Sequence, residues 1–478
     1  MLKNNSLKYH LPALIVFNCA LFMPMMGRGF IHDDFMHLYS AASQSVEDGL
    51  AHSFVKNFYT PITWLTFRLD LLLWGSSHPY PLAFVNLLIH TTNVLLLYRL
   101  AWELWKSSIA AWWTGFGFAL LFPANTWAVM WIATRAHLLA TVFYLAAMLT
   151  ALWFARTEKR KVVAASAVMV CAALAMFAKE SGVTVIAAVC IVILYDGSLR
   201  GQRFAFSRVM PLLAALVALL SFYFVLRIQA GALAPSVSNG EWYSYVLSAN
   251  VLGRNLMRYG WRTYGILTLV ALAITASLII RGARPRLNLL TRHDVLFSLL
   301  LFLTAVAPFV LLPGRSGIYT YLPGVGAALL LGVAVRSLYQ SPEDFVARRA
   351  LLALVPVSIT AMVCVGFTVG HSLKWMQMAM MTTNVLRQLS AQQPQVKSNT
   401  LIVLTYLEAD RRHRFPEGFA EWGFPFAVKL LYRDSTLDAK IIRGQETRMM
   451  SGDAAEIHFA YTLENGAPKI IKTSEVAP

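Results

Sequence analysis

The chain has 478 residues, 57% of them hydrophobic and only 14% charged, with a mean hydropathy of +0.56, far more apolar surface than a soluble domain of this size needs. The net charge of +17 could suit nucleic acid, but most of the basic residues sit in short loops between apolar runs, and that positive-inside distribution argues against a nucleic-acid partner. The four cysteines, Cys19, Cys171, Cys190 and Cys364, all fall inside apolar runs, so neither a disulfide framework nor a zinc site is expected.

Runs approaching the ~20 residues that an α-helix needs to cross hydrocarbon predict about eleven spans. They lie at roughly 10–26, 82–104, 109–122, 136–155, 162–178, 182–196, 209–228, 262–280, 296–313, 318–336 and 350–369. The first is preceded by Lys3 and Lys8 and followed by Met25-Met26-Gly27-Arg28, which lacks a small-residue cleavage pattern, so it reads as a retained anchor. With the N-terminus inside, the basic loops around Arg156–Lys161, Arg200–Arg208, Arg281–Arg292 and Arg336–Arg349 share one side, and an odd number of spans leaves the C-terminus outside. Segment 27–81 forms a long first external loop in which Phe58–Trp74 reads as short interfacial helices. A second external loop, about 229–261, carries Trp242, Tyr243, Tyr245, Tyr259 and Trp261, aromatic residues that favour the headgroup level.

Beyond about residue 370 the composition turns polar. An amphipathic helix is predicted near 372–392, then strands at Thr400–Tyr406, Ala439–Arg443 and Glu456–Thr462, with a hairpin turn at Asn465-Gly466. The predicted fold class is therefore an all-α polytopic membrane protein over 1–370, with a small C-terminal α+β extracytoplasmic domain within 371–478.

On this topology Asp33, Asp34, Arg135, His137, Lys179, Glu180 and Arg315 all lie at outer ends of spans or in outer loops, where ionisable groups are expensive and usually have partners or work. Adjacent carboxylates raise each other's pKa, and Asp33 or Asp34 could act as a general base; the alternatives are a solvated acidic turn or a Mg²⁺ or Mn²⁺ site with only two ligands visible locally. Lys179 suits a phosphate as a point charge with Glu180 orienting it, against a plain ion pair at a helix junction. Arg315, in a glycine-flexed loop, could grip a phosphate bidentately or simply face water and headgroups. His137 beside Arg135 is a weaker candidate. Asn86 and His90, one helical turn apart, fit a polar helix–helix contact.

Several strings in order resemble the GT-C glycosyltransferases, and within them the protein O-mannosyltransferase and TMTC-type branch. They are Asp33-Asp34, Tyr59-Thr60-Pro61-Ile62-Thr63-Trp64 with Leu73-Trp74-Gly75, and Asn86-Leu87-Leu88-Ile89-His90. They continue with Pro123 to Trp131-Ile132 and Arg135, Lys179-Glu180-Ser181-Gly182, and Arg315 with Tyr319 and Tyr321-Leu322-Pro323-Gly324-Val325-Gly326. The resemblance covers roughly residues 10–340; tetratricopeptide repeats and a large MIR-like insertion are missing, which leaves the acceptor open.

The resemblance implies a polyprenyl-phosphate-linked sugar donor of the undecaprenyl-phosphate kind. It also implies an acidic base in the first external loop, Asp33 or Asp34, and a donor phosphate held by Lys179, Arg315 and Arg135, with Glu180, His137, Tyr319 and Tyr321 in support. The compact C-terminal domain points to a bacterial inner-membrane enzyme with a cytoplasmic N-terminus, acting on a lipid-linked glycan, a surface polysaccharide or a protein in the periplasm. A transporter or flippase of lipid-linked sugars is the rival, although midplane binding groups and repeated halves are not visible. A non-catalytic assembly partner is the other.

Overall fold

The computed structural model describes residues 5–53, 58–121, 123–201, 206–232, 244–280, 290–339, 355–406, 418–420, 422–443, 455–464 and 467–476. In chain order the helices are α1 (Asn5–Phe22), α2 (Asp34–Ser43), α3 (Val46–Ala51), α4 (Pro61–Trp74), α5 (Pro79–Trp105), α6 (Ser108–Ala119), α7 (Ala124–Met130) and α8 (Arg135–Arg156). They continue with α9 (Lys161–Ala178), α10 (Val185–Leu199), α11 (Phe206–Gln229), α12 (Ala249–Ile280), α13 (Arg292–Val310), α14 (Gly324–Tyr339), α15 (Val355–Gln392) and α16 (Gly423–Tyr432). The strands are β1 (Leu401–Tyr406), β2 (Asp438–Arg443), β3 (Glu456–Glu464) and β4 (Ala467–Val476).

Among the described residues seven helical stretches are long and apolar enough to cross a membrane: Pro79–Trp105, Ile132–Arg156, Lys161–Ala178, Glu180–Leu199, Val209–Gln229, Ala249–Ile280 and Arg292–Val310. They pack through small residues. On α9 Ala164, Val168, Ala172 and Ala175 recur at helical spacing and are fully buried. Where α14 meets α6, a Cβ on Gly332 would lie 2.5 Å from the Ala110 carbonyl oxygen, an approach only glycine allows. Polar side chains on α5 bridge the bundle: Asn93 Nδ2 donates to the Leu138 carbonyl at 3.0 Å, and His90 Nδ1 lies 2.7 Å from the Tyr321 hydroxyl.

Two elements run further than the apolar runs indicate. The 32 residues of α12 span about 48 Å at ~1.5 Å per residue, so its first turns, 249–261, are helix where an aromatic loop is expected. α15 is one helix of 38 residues that passes through residue 370 without a break, because after Pro356 it contains no further proline. The expected Asn465-Gly466 turn, the basic residues Arg281 to Arg286, Arg348 and Arg349, and Trp242 and Tyr243 lie outside the described residues.

The alternating runs of the polar segment are strands of a mixed four-stranded sheet, ordered β2-β1-β3-β4. β1 is parallel to β2 and β3, and β3 is antiparallel to β4. One face of the sheet, carrying Ile402, Leu404, Ile457 and Phe459, is buried against α16 and the C-terminal half of α15. Phe30 and Phe35, from the turn that follows α1, join this same core, so the sheet is anchored on the first loop of the helical bundle.

Candidate functional site

The loop after α1 reverses at Gly27, whose φ of +69° and whose close approach to the Tyr80 backbone both require glycine. Three residues before α2, Ile31-His32-Asp33 turn sharply, with His32 at φ +49°, a conformation costly for a residue with a Cβ. The turn is held from outside: the His32 N–H donates to the Gly418 carbonyl at 2.9 Å, and Thr382 donates to the Phe30 carbonyl at 2.6 Å.

The two aspartates then separate in role. Asp34 is fully buried, and both of its oxygens accept backbone N–H groups, Oδ1 from Ala133 at 2.7 Å and Oδ2 from Ile31 at 3.0 Å. Burial pushes its pKa up to about 8, against the two N–H donors and the Arg135 charge, and the neighbouring Asp33 charge adds to the rise. Asp33 accepts from the Trp422 indole N–H at Oδ1, at 2.5 Å, while its Oδ2 has no partner among the described residues. Burial raises the Asp33 pKa too, and the indole hydrogen bond opposes that rise. The start of α2 lies directly behind both carboxylates, so its dipole favours negative charge there. Hydrogen-bond donors meet three of the four carboxylate oxygens. Among the described residues no group of three His, Cys, Asp or Glu side chains is placed to hold a metal ion.

Arg135 lies within 2.5 Å of Asp70 Oδ2 through Nη1, donates to Asn86 Oδ1 and to the Leu82 carbonyl, both at 2.9 Å, and is fully buried. Its guanidinium sits 4.4 Å over Phe67, on which the His37 ring also stacks at 5.3 Å. All three guanidinium nitrogens are thus committed to the chain itself. Asn86 completes the knot by donating to the Ile132 carbonyl at 3.2 Å, fixing the turn that presents the Ala133 N–H to Asp34.

Lys179 ends α9 in an extended conformation and lies 3.3 Å from Glu180, with both side chains mostly covered. Its position is set from two sides. Thr63 donates to the Ala178 carbonyl at 2.8 Å, and Gly182 lets the following turn press against the Ala175 carbonyl, where a Cβ would lie at 2.1 Å. The Lys179 ammonium is close enough to act electrostatically on His37, one turn beyond the aspartates; with burial first, then Lys179 and Arg135, the His37 pKa falls to about 4. His37 is therefore neutral at pH 7. The same ammonium acts on His137, whose ring lies 6.1 Å from Tyr319, and Tyr319 in turn lies 6.3 Å from Tyr259.

Around Tyr259 the charges of Arg258, Arg262 and Arg315 converge. Arg315 is exposed and makes no hydrogen bond or ion pair with the described residues. Arg254, Arg258 and Arg262 recur every four residues on one stripe of α12, while Asn255, Tyr259 and Thr263 form its buried stripe. Tyr321 lies deeper and is tied to His90 and Asn93. The Lys179 ammonium acts electrostatically on His37 and on His137, and ring contacts lead from His137 through Tyr319 to Tyr259, on which the arginine charges act. Arg258, Arg262 and Trp422 do not emerge from the sequence reading. The four-residue arginine spacing is a visible signal for the first two; nothing in the local sequence marks Trp422.

No protein-family model matches the chain. The crystal structure of ArnT from Cupriavidus metallidurans bound to undecaprenyl phosphate superposes with a TM-score of 0.53 over 96% of this chain and 97% of that one, at 12% identity. The two chains share a fold. Two structures of the Archaeoglobus fulgidus oligosaccharyltransferase share it. The apo form matches with a TM-score of 0.50 over 87% of this chain and 64% of that one, at 12% identity. The complex with an inhibitory peptide and a dolichol-phosphate has the same TM-score and identity over 91% and 65%. Among curated proteins, protein O-mannosyl-transferase Tmtc2 of Drosophila melanogaster is 30% identical over 185 residues. That match takes in 34% of this chain and 19% of the relative, so the chain spans about a fifth of the protein it resembles in sequence.

Proposed function

We propose that the chain is an inverting glycosyltransferase that moves a sugar from a polyprenyl-phosphate donor to a hydroxyl of a lipid-linked glycan, a surface polysaccharide or a protein. The observation that carries this reading is the Asp33 carboxylate. It is half-buried and oriented through one oxygen, its other oxygen has no partner among the described residues, and electrostatic and ring interactions lead from its loop to Lys179 and to Arg258, Arg262 and Arg315. In this reading Asp33 removes the acceptor hydroxyl proton as that oxygen attacks the anomeric carbon, and the bond from that carbon to the donor phosphate oxygen breaks on the opposite face. The phosphate leaves with one more negative charge, stabilised by Lys179 and the arginines. Asp34 holds the loop, and Arg135 supports the site from behind through Asp70 and Asn86. The ArnT and archaeal structures hold undecaprenyl phosphate and dolichol-phosphate, which supports the donor class.

The finer arrangement follows the sequence: about eleven spans in the inner membrane of a bacterium, a cytoplasmic N-terminus, and a periplasmic C-terminal domain and site. The test is transfer by purified, reconstituted protein supplied with labelled polyprenyl-phosphate hexoses and pentoses. Arg258→Ala and Arg262→Ala should raise the donor KM about tenfold each, in line with ~1.5 kcal/mol for a charged hydrogen bond, with the acceptor KM unchanged. Transfer by neither donor class, or an unaltered donor KM in both variants, contradicts the reading.

A further inference from the structure

The sheet domain meets the helical bundle at the acidic loop and nowhere else so closely connected to the chemistry. Its segment 418–420 accepts the His32 N–H at Gly418. Phe419 stacks on Phe35 at 5.6 Å, and Gly423 lies so near the His32 carbonyl oxygen that a Cβ would fall at 2.6 Å from it. α16 then runs along α2, with Phe426 5.6 Å from Tyr39 and the Lys429 ammonium 5.9 Å from the same ring. Within segment 418–420 Ala420 is held at φ +49°, a conformation costly for alanine, and the next described residue is Trp422. Trp422 is 58% exposed, yet the only polar group of its side chain, the indole N–H, donates to Asp33 Oδ1 at 2.5 Å.

We propose that Trp422 is a positioning residue for Asp33, so that the sheet domain supplies part of the catalytic centre and is more than an appendage to it. This rests on the reading of Asp33 as the base. An indole N–H can only donate, so it fixes one carboxylate oxygen and leaves Oδ2 turned to the acceptor. It also favours the ionised carboxylate, the form that can take a proton. The groups that face this carboxylate are Asp34 and His32 from its own loop, Trp422 from the sheet domain and, behind Asp34, Arg135.

The test compares Trp422→Phe, which keeps the ring and loses the donor, with Trp422→His, which keeps a donor. Loss of the donor should lower kcat about tenfold to hundredfold, the effect of one hydrogen bond to a charged group, with donor KM and melting temperature unchanged. It should also move the acid limb of kcat/KM to higher pH, because removing a donor to the carboxylate raises its pKa, and Trp422→His should restore much of both. If Trp422 only fastens the domain, the melting temperature falls and the pH profile stays in place, which overturns the inference. An activity-independent arm separates its failure from that of the proposed function. In ¹⁵N-tryptophan-labelled protein, the indole resonance assigned to Trp422 by its loss in Trp422→Phe should titrate with Asp33 and cease to titrate in Asp33→Asn. A resonance that ignores both pH and Asp33→Asn rejects the pairing, whether or not any donor is turned over.

Discussion

At the scale of single residues, adjacent and chemically identical side chains are divided by their surroundings. Asp34 is enclosed, with both oxygens on backbone N–H groups, while one oxygen of Asp33 has no partner among the described residues. The doublet is legible in the sequence as an acidic pair beside the first span, but the division between its members is not, because it depends on Ala133 and Trp422, about a hundred and several hundred residues away. Arg135 was legible as a charge at a span end, yet its partner Asp70 lies in a segment whose pattern reads only as interfacial helix. A buried guanidinium needs an acid, and the sequence does not say which.

The raised pKa of Asp34 has a consequence for stability. A carboxyl near 3.8 in the unfolded chain and about 8 in the fold leaves the two states equal in protonation below pH 3; as pH rises toward 8 the unfolded state ionises first and the fold loses ground. Melting temperature should therefore decline from about pH 5 to pH 8 more steeply in the wild type than in Asp34→Asn, whose amide does not titrate. Parallel curves for the two proteins would show that Asp34 is ionised in the fold.

At the scale of elements, helix existence follows from apolar runs, whereas helix ends follow from breakers. α4 begins at Pro61 and ends at Gly75, both readable. α12 and α15 run past their apolar cores because charged and polar residues at helical spacing continue them, so Arg254 and Arg258 fall in the expected loop while Arg262 opens the expected span. The packing of α6 on α14 rests on Gly332, where a Cβ would crowd Thr114 and the Ala110 carbonyl, while Gly366 on α15 faces open space. Gly332→Ala should destabilise the protein by about 1–3 kcal/mol, as overpacking does, and Gly366→Ala should not. Thermal unfolding of the two variants in detergent checks this, and equal midpoints would mean the α6–α14 contact relaxes freely.

At the scale of the molecule, the alternating strands of the C-terminal segment are visible in its sequence, but not its seat. Phe30 and Phe35, which look like loop aromatics, belong to the core of the sheet domain, and through them the last quarter of the chain reaches the first loop. The proposed site therefore draws on α2, the C-terminal end of α9, the start of α12 and the turn before α16, and no single stretch of sequence contains it. The chemistry proposed for these stretches depends on what each of them meets in the fold.

The central claim is that Asp33 is the base. Asp33→Asn retains the shape and the Trp422 contact but cannot take a proton, so in reconstituted protein given a labelled polyprenyl-phosphate sugar it should transfer about 10²–10⁴-fold more slowly than wild type while melting at the same temperature. Wild-type rates from a folded Asp33→Asn protein would contradict the account.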